Sequence, residues 1–428
     1  MRVYFHTLGC KVNQYETQCM RELFEKKGYT VAQDGESFDI AVINSCTVTA
    51  ESDRKTRQLL NRLRRENPSA VIVLTGCMAQ TFKGEKQELN SADLVIGNTD
   101  IEKIIEYTEK FLSTKEKQIV NFSHDRYECF NTPSISDFAE RTRAYMKIED
   151  GCDRYCTYCI IPFARGFVRS KSCDLILKEA EALAQKGFIE VVLVGINLSS
   201  YGKGENINLC DAVDAAAKPD GIKRVRLGSI EPDLITDEML ARLKQNSKFC
   251  PQFHLSLQSG CDKTLKRMNR HNDTAFYRDL VKRIRATFSN AAITTDIMVG
   301  FAGESEEDFC ESVAFLKEIG FSKAHVFAYS RRKGTLADKM PGQITRQERA
   351  RRSKIMIDTA NLCESEFMRS QVGRVEEVLF ETFENGFAEG YTKSYVRVAV
   401  ETEKPLLGKI QQVKITKAFN DKVLGELI

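Results

Sequence analysis

The sequence has no tryptophan, no long apolar run and almost no net charge. Because no stretch approaches about 18 consecutive apolar residues, and the first residues lack the layout of a signal peptide, we expect no membrane association and a cytoplasmic location. The 63 basic and 60 acidic residues leave a net charge of +3, which neither requires nor excludes a nucleic-acid partner. Apolar residues at 42% and charged residues at 29% are typical of a folded globular chain and exclude a disordered one.

Cysteine is the residue type in which this sequence is rich, with 14 among 428 residues. A reducing cytosol rarely keeps that many thiols as disulfides. The cysteine content therefore favours metal or redox chemistry.

The amino-terminal part of the chain alternates between strand and helix patterns. Apolar runs predict strands at 3–6, 38–43, 70–75 and 94–96, and periodic segments predict helices at 15–27, 51–66 and 101–112. This alternation is typical of an open parallel α/β sheet covered on both faces. We assign residues 1–120 to this domain and the polar segment 121–137, which contains Pro133, to a linker.

A second alternating series follows in residues 138–366. Its candidate strands are 145–149, 191–195, 224–227, 253–257, 294–299 and 324–329, with helices between them and a long charged helix at 347–369. Six βα units predict a partial (β/α)6 barrel of the TIM type, whose ligands belong at the carboxyl ends of the strands.

The last part of the chain, residues 367–428, changes to short strands rich in β-branched and aromatic residues. These are predicted at 375–380, 387–389, 394–400 and 412–416, with an Asn385-Gly386 turn after the first. The pattern predicts a small all-β barrel or sandwich.

Three cysteines form a C-x3-C-x2-C triplet, Cys152, Cys156 and Cys159, directly after the first barrel strand. Three thiolates on one short loop can bind three irons of a [4Fe–4S] cluster and leave the fourth iron open for a ligand. Zinc is the competing metal, but a structural zinc site prefers four ligands, and no fourth candidate lies nearby in the sequence. The remaining alternative is three free loop cysteines.

A second set consists of Cys10, Cys46 and Cys77, each of which follows a predicted strand of the amino-terminal sheet. The carboxyl ends of parallel strands share one edge, where ligands bind in open α/β sheets. Three thiols there would again leave one iron of a cluster open. The alternative is that they are buried, inert cysteines. The turn-forming and polar residues beside them favour loops over core packing.

At these residues the chain resembles known proteins. The Cys152 triplet on a βα barrel resembles the radical S-adenosylmethionine (SAM) superfamily. The string Thr-Leu-Gly-Cys-Lys-Val-Asn-Gln-Tyr-Glu at 7–16 resembles the methylthiotransferases and, among them, the threonylcarbamoyladenosine tRNA branch. The segments 44–49, 76–77 and 329–335 carry the same resemblance.

Two other branches of that family differ at the first of these motifs. The isopentenyladenosine branch usually reads Gly-Cys-Gln-Met-Asn, and the ribosomal-protein branch reads Gly-Cys-Pro-Lys-Asn. Here Lys11 and Val12 stand at the two variable positions. The carboxy-terminal domain resembles the TRAM domain of tRNA-modifying enzymes, an OB-like barrel.

The resemblance implies two [4Fe–4S] clusters and SAM as cofactors. Cys152, Cys156 and Cys159 would hold the cluster that cleaves SAM, and Cys10, Cys46 and Cys77 would hold an auxiliary cluster. A 5′-deoxyadenosyl radical would remove the hydrogen from C2 of adenine, and a methylated sulfur from the auxiliary cluster would replace it.

Ten residues are candidates for binding SAM or lining the reaction site. By family analogy Tyr158 lies near the adenine of SAM, and the strand end at Gly195 and Asn197 binds its amino group. Strand alternation turns Ser256 and Gln258 toward the barrel lumen. The others follow the third and fifth barrel strands: Ser229, Glu231, Asp296, Val299 and Gly300. The five histidines have no ligand spacing and are interpreted as structural or surface residues.

Four basic residues are candidates for RNA contact. Arg331 and Arg332 lie at the exit of the sixth barrel strand, and Arg374 and Lys393 lie in the carboxy-terminal domain. The implied partners are tRNA, whose anticodon-loop bases are accessible, a flavodoxin-like or ferredoxin-like electron donor, and a sulfur source.

The sequence thus predicts an enzyme that converts N6-threonylcarbamoyladenosine beside the tRNA anticodon to its 2-methylthio derivative. One alternative applies the same chemistry to isopentenyladenosine or to a ribosomal-protein aspartate. Another is an iron–sulfur protein that binds RNA or senses redox state without turnover. The eight remaining cysteines have no ligand spacing.

Overall fold

The computed structural model describes the whole chain except residues 83–88, 126–128, 139–141 and 420. Residues 126–128 of the predicted linker and 139–141 at the start of the predicted barrel domain lie outside the described residues. None of the helices in the described part of the chain combines the length and the apolar composition that a membrane crossing needs.

The amino-terminal domain is a six-stranded parallel sheet with the order β2-β1-β3-β4-β5-β6. Its strands are β1 (Arg2–Thr7), β2 (Thr30–Ala32), β3 (Ile40–Ser45), β4 (Val71–Gly76), β5 (Leu94–Ile96) and β6 (Gln118–Val120). Its helices are α1 (Lys11–Lys26), α2 (Ala50–Glu66), α3 (Cys77–Thr81) and α4 (Ile104–Thr114).

Helices cover both faces of this sheet. Residues of α1 and α4 pack on one face, and Leu59, Leu60 and Leu63 of α2 pack on the other. Strands β3 and β4 are buried at every position, as expected of parallel strands covered on both sides. The helix expected at 101–112 begins instead as a 3-10 turn, Asn98–Lys103, because Asp100 has non-helical backbone angles.

The central domain is a partial barrel built from two parallel sheets, β7-β10-β11 and β12-β13-β14-β15. The strands are β7 (Arg143–Lys147), β8 (Glu149–Asp150), β9 (Arg169–Ser170), β10 (Glu190–Val194), β11 (Arg224–Leu227), β12 (Ser229–Ile230), β13 (Gln252–Leu255), β14 (Ala292–Val299) and β15 (Lys323–Ala328). The short strands β8 and β9 pair with each other. Only Gly228 separates β11 from β12, so the two sheets follow one another in barrel order.

Eight helices accompany these strands. They are α5 (Ile161–Arg165), α6 (Cys173–Gln185), α7 (Leu209–Ala217), α8 (Asp237–Gln245), α9 (Asp262–Arg267), α10 (Thr274–Thr287), α11 (Glu306–Ile319) and α12 (Arg346–Ser370). Six of them begin with a side-chain cap, which is the chemistry expected at a helix start, from Ser172, Asn208, Thr236, Asp273, Ser305 and Thr345.

The amino-terminal domain and the barrel share buried contacts through α1. Tyr15 and Cys19 of this helix lie in the core of the barrel domain, and the Tyr15 hydroxyl donates to Glu179 at 2.9 Å. The segment predicted as a linker contributes as well, since Ile135 is buried in the same core. Packing therefore fixes the position of α1 against the barrel.

The carboxy-terminal domain is a closed five-stranded barrel with the order β16-β17-β18-β20-β19. Its strands are β16 (Val375–Glu384), β17 (Phe387–Thr392), β18 (Arg397–Glu401), β19 (Ile410–Ala418) and β20 (Val423–Leu427). The predicted turn is present, with φ of 53° at Asn385 and 81° at Gly386. Strand β20 was missed because Gly425 interrupts its apolar pattern, and that glycine lies where a Cβ would be 2.3 Å from Val413.

This small barrel lies against the amino-terminal ends of the large barrel's strands. Arg224 donates to the carbonyl oxygens of Tyr391 and Glu377, both at 2.8 Å. The Arg143 guanidinium lies 4.9 Å from the ring centroids of both Tyr391 and Tyr395. The carboxy-terminal domain therefore closes one end of the large barrel.

Candidate metal centres and cavity

The Cys152, Cys156 and Cys159 triplet occupies the loop between β8 and α5. Backbone contacts shape this loop: the Cys152 N–H donates to the Gly166 carbonyl at 3.0 Å, and the Cys159 N–H donates to the Cys156 carbonyl at 2.9 Å. Gly151, with φ of 89°, precedes the loop where a Cβ would be 1.9 Å from the Phe167 carbonyl oxygen. The loop holds the three thiols close enough to influence one another electrostatically.

Burial makes two of these thiols poor thiolates unless a cation accompanies them. It raises the pKa of Cys152 and of Cys159 to about 12, and the neighbouring thiols add to the shift. A bound metal would reverse this, because metal coordination deprotonates a thiol.

Arg270 and Asn197 lie beside this triplet. The Arg270 Nη1 lies 3.6 Å from the Cys156 sulfur, and its Nη2 pairs with the Glu231 carboxylate at 2.5 Å. The Asn197 Nδ2 lies 4.0 Å from the Cys152 sulfur. Asn197 and Glu231 are among the predicted cofactor residues, whereas Arg270 has no distinguishing motif and was missed.

The second triplet, Cys10, Cys46 and Cys77, follows three strands that are adjacent in the sheet, β1, β3 and β4. The strand order reverses at β1, so Cys10 and Cys46 flank the crevice where open α/β sheets bind ligands. A Cβ on Gly9 would lie 3.2 Å from the Cys46 Cβ. The Cys10 and Cys46 thiols both contribute to raising the pKa of Cys77. The structure thus brings the three cysteines together.

Asparagines and an arginine position this second triplet. Asn13 lies 3.2 Å from the Cys10 sulfur through Oδ1 and donates to the Asn44 Oδ1 at 2.9 Å. Arg165 donates through Nε to the Cys77 sulfur at 3.3 Å. Burial raises the pKa of Cys77 to about 12, an effect that the arginine opposes. This triplet also suits a cationic metal centre.

Among the described residues, no group of three or more His, Cys, Asp or Glu side chains is gathered tightly enough to bind one metal ion. A four-iron cluster binds each thiolate through a different iron, so its thiols stand further apart than the ligands of one ion. A cluster therefore does not require the thiols of a triplet to meet at one point.

A cavity of about 700 Å³ runs through the barrel lumen. Gly195, Ser229 and Asp296 line it near the carboxyl ends of the strands, and Cys10 and Lys11 line it at the start of α1. Tyr391 and Tyr395 close its other end. The cavity therefore lies within reach of both domains that carry cysteine triplets.

The remaining cofactor candidates lie around the carboxyl ends of the strands. Ser256 accepts from Arg270 through its carbonyl at 2.5 Å, and Gln258, with φ of 74°, donates its N–H to the Asp296 carbonyl at 2.9 Å. Tyr158 is largely enclosed and lies edge-on to Phe301 at 6.3 Å between ring centroids. Val299 is buried in the barrel core, so its side chain does not face the cavity.

Gly300 is held at the end of β14 by a side-chain contact. Its N–H donates to the Glu304 carboxylate at 2.7 Å, and a Cβ there would lie 2.3 Å from Arg349. This residue therefore shapes the turn rather than presenting a side chain.

The four basic candidates have partners within the protein. Arg332 pairs with Asp53 and Thr47 of the amino-terminal domain, and Arg331 pairs with Asp338 at 2.6 Å. Lys393 lies 3.1 Å from the Glu377 carboxylate. Arg374 lies 3.5 Å from the Ser370 carbonyl. The structure places Arg332 at a domain contact that the sequence did not reveal.

Two further residues in the cavity escaped the sequence interpretation. His254 lies 3.4 Å from the Asp296 carboxylate through Nε2 and 3.0 Å from the Thr294 hydroxyl through Nδ1. Lys11 is accessible within the cavity, yet the surrounding protein removes part of its hydration and, with Arg143 and Arg226 nearby, lowers its pKa to about 8. The residues flanking Cys10 were the only signal for Lys11.

Glu149 leads to a prediction of pH-dependent stability. It accepts the Asn197 N–H at 2.7 Å, and its burial raises its pKa to about 8. The folded protein keeps a proton that the unfolded chain releases near pH 4.5, so this group makes unfolding easier as pH rises from about 4.5 to about 8. Chemical unfolding of the metal-free chain at a series of pH values in this range should show that the free energy of unfolding falls as the pH rises.

The matched control is Glu149→Gln, which imitates the protonated acid at every pH. Its stability should decline less steeply over the same range than that of the unchanged chain. Parallel pH profiles for the two proteins would contradict the assignment.

Both the sequence and the fold are similar to those of known proteins. Three family models match: Uncharacterized protein family UPF0004 at residues 2–97, the Radical SAM superfamily at 146–316 and the TRAM domain at 369–428. Among solved structures, the radical S-adenosylmethionine methyltransferase TsrM from Kitasatospora setae has a TM-score of 0.54 at 14% identity, covering 76% of this chain and 72% of that one. This likeness concerns the fold alone.

Curated relatives match over nearly the full chain. The threonylcarbamoyladenosine tRNA methylthiotransferase MtaB of Bacillus subtilis (strain 168) is 38% identical, covering 97% of this chain and 94% of the relative. MtaB of Thermotoga maritima is 35% identical, covering 99% of this chain and 96% of the relative. A tRNA-2-methylthio-N(6)-dimethylallyladenosine synthase of Clostridium perfringens (strain SM101 / Type A) is 32% identical, also covering 99% and 96%.

Proposed function

The chain belongs to the radical SAM methylthiotransferase family, and from this we propose that it converts N6-threonylcarbamoyladenosine beside the tRNA anticodon to the 2-methylthio derivative. The family's cofactors are SAM and [4Fe–4S] clusters. The relatives named for threonylcarbamoyladenosine are 33–38% identical, against 32% for those named for dimethylallyladenosine. This difference supports the choice of nucleoside.

One cavity, lined by Cys10 of the second triplet and by Gly195 and Asp296 at the carboxyl ends of the barrel strands, carries this proposal. When bound, clusters with open irons supply the electron that cleaves SAM and a place to hold sulfur. The β8–α5 loop would hold the first cluster through Cys152, Cys156 and Cys159. The edge of the amino-terminal sheet would hold the second through Cys10, Cys46 and Cys77.

The protein's own residues would bind and orient the reactants. Gly195, Asn197 and the Glu231–Arg270 pair lie beside the first triplet, where SAM would bind. Ser256, Gln258 and Asp296 would complete the walls of that site, with Ser229 and the Tyr158 ring beside them. The carboxyl end of β14 at Val299 and Gly300 would support the adenosine of SAM through backbone groups.

The cavity would hold the target base. Its wall from Cys10 to Gly195 and Asp296 would bring a base near both cofactor sites. A base that fills the cavity would displace water and so limit side reactions of a radical. The base would have to leave its stack to enter, as bases do in other nucleic-acid enzymes.

The RNA partner is a tRNA, and the TRAM domain together with Arg331, Arg374 and Lys393 would contact its backbone. Arg331 is mostly exposed, with 59% of its side chain accessible, so it can reach a phosphate without losing its place in the fold. An external electron donor of flavodoxin or ferredoxin type and a sulfur source complete the proposal. The reaction would take place in the cytoplasm.

Anaerobic turnover tests the proposal directly. Reconstituted protein would be incubated with SAM, dithionite and anticodon stem-loop RNAs carrying threonylcarbamoyladenosine or isopentenyladenosine, and nucleosides would be measured by mass spectrometry. We expect 5′-deoxyadenosine and a 2-methylthio product from the threonylcarbamoyl RNA. Product from the isopentenyl RNA alone would assign the other substrate, and absence of 5′-deoxyadenosine would leave a non-catalytic iron–sulfur protein.

A further inference from the structure

Lys11 is the first residue of α1 and lines the cavity beside Cys10. Its ammonium lies 5.9 Å from the centroid of the Tyr145 ring. The next residue, Val12, packs against Val192 and Val194 of β10. The start of α1 is therefore fixed against the open barrel, and the accessible Lys11 side chain lies on the wall of the cavity.

The other cations of the cavity wall already have carboxylate partners. In the described part of the chain these pairs are Arg143 with Glu381 (2.7 Å), Arg226 with Glu190 (2.9 Å), Lys323 with Glu364 (3.1 Å) and Arg397 with Asp421 (3.6 Å). The remaining wall carboxylate, Asp296, lies 3.4 Å from His254. These groups need no further ion.

Lys11 differs from all of them. Within the described residues it has neither a salt bridge nor a hydrogen bond; Arg143 and Arg226 add positive potential to its surroundings, which Glu190 opposes in part. An anionic ligand that reaches this unpaired ammonium gains a charge-assisted hydrogen bond. The cavity therefore favours a ligand that brings a negative charge to Lys11.

We propose that Lys11 is a specificity-determining residue that binds the carboxylate of the N6-threonylcarbamoyl group; this inference rests on the proposed function. A base held between Cys10 and Asp296 has its N6 substituent within the same cavity, whose volume of about 700 Å³ accommodates a nucleobase with an extended group. An isopentenyl group brings no charge and leaves the Lys11 ammonium without a partner. The lysine thus selects for one modified adenosine and against the other.

A cycle that changes the lysine and the carboxylate separately tests this. Holoenzyme with and without Lys11→Met would bind stem-loop RNAs that carry threonylcarbamoyladenosine or its neutral primary amide, and Kd would be measured without reductant. Either change alone should weaken binding about 10- to 100-fold, which is the range for a hydrogen bond to a charged group. The two changes together should weaken it little further, because they remove the same contact.

Two variants and one measurement serve as controls for this experiment. Lys11→Arg should restore much of the preference for the carboxylate, and Lys323→Met, which removes a cation that is already paired, should show no coupling with the amide substitution. Iron content must equal that of the unchanged protein, because Lys11 adjoins Cys10. If Lys11→Met loses iron, Lys11→Gln replaces it.

Independent, multiplicative losses for the lysine and the carboxylate would overturn the inference, as would equal binding of the acid and the amide by the unchanged protein. The binding cycle is separate from turnover. Coupling in binding without any 2-methylthio product would refute the proposed reaction while keeping the carboxylate contact. Product formation without coupling would support the proposed reaction and refute the carboxylate contact.

Discussion

Replacing Cys10, Cys46 and Cys77 together with alanine should abolish methylthio transfer while SAM is still cleaved. The three thiols lie on the amino-terminal sheet, whereas the Cys152 triplet lies on its own loop with its own backbone contacts. Removal of one set therefore leaves the other intact. Bound iron should fall by about half, since each triplet would hold one four-iron cluster, and 5′-deoxyadenosine should still form under reducing conditions.

The control for this experiment is the pair Cys129→Ala and Cys310→Ala. Both cysteines are exposed and have no proposed role, so iron content and product yield should be unchanged. Iron that stays at the full level in the triple variant would show that the amino-terminal cysteines are not ligands. Loss of 5′-deoxyadenosine along with the product would show that the two sites are not separable.

The second large effect is expected at Glu16, where the amino-terminal domain meets the barrel. Its buried carboxylate pairs with Arg165 and, at 2.8 Å, with Lys147, and Lys147 also contacts Asp150 at 2.7 Å. Glu16→Ala would leave the buried cations Lys147 and Arg165 to share Asp150 with Arg169. Breaking a buried pair in this way costs about 3–5 kcal/mol, which should lower the thermal unfolding midpoint by about 3–6 °C.

An exposed ion pair provides the comparison. Arg54 and Glu51 pair at 2.5 Å on the surface of α2, with more than half of each side chain accessible. Arg54→Ala should leave the unfolding midpoint essentially unchanged, because solvent screens such pairs. If Glu16→Ala and Arg54→Ala unfold at the same temperature, the Glu16 network does not hold the two domains together.

The position of the amino-terminal cysteines was predictable because it follows from a rule of sheet geometry. Each cysteine comes directly after an apolar run, and parallel strands end at one edge of a sheet. To predict that these cysteines share one edge, it was enough to know that β1, β3 and β4 are parallel strands. The barrel triplet required no knowledge of the fold, since its three cysteines lie within eight residues of the sequence.

The contacts of Arg165 and Arg332 could not be predicted in the same way. Arg165 meets Glu16 across 149 residues of sequence, and Arg332 meets Asp53 across 279. Such partners are chosen when domains pack, and no local pattern records them. Arg332 was expected to face RNA because it follows a strand, yet its guanidinium is used to join the barrel to α2.

His254 illustrates a different limit. His254 lines the cavity, but the histidine was interpreted as structural because no ligand spacing surrounds it. Its partners Asp296 and Thr294 come from the neighbouring strand β14. A side chain's direction can be read from one strand, whereas its chemistry depends on the strand beside it.

The tyrosine pair around Arg143 makes the RNA-binding module a structural part of the catalytic barrel. Tyr391 and Tyr395 stand on the cavity wall, so the domain that would contact RNA also shapes the space for the base. An exchange of this domain between relatives would alter the pocket as well as the RNA contacts. Changes in RNA preference and changes in the pocket are therefore constrained to evolve together.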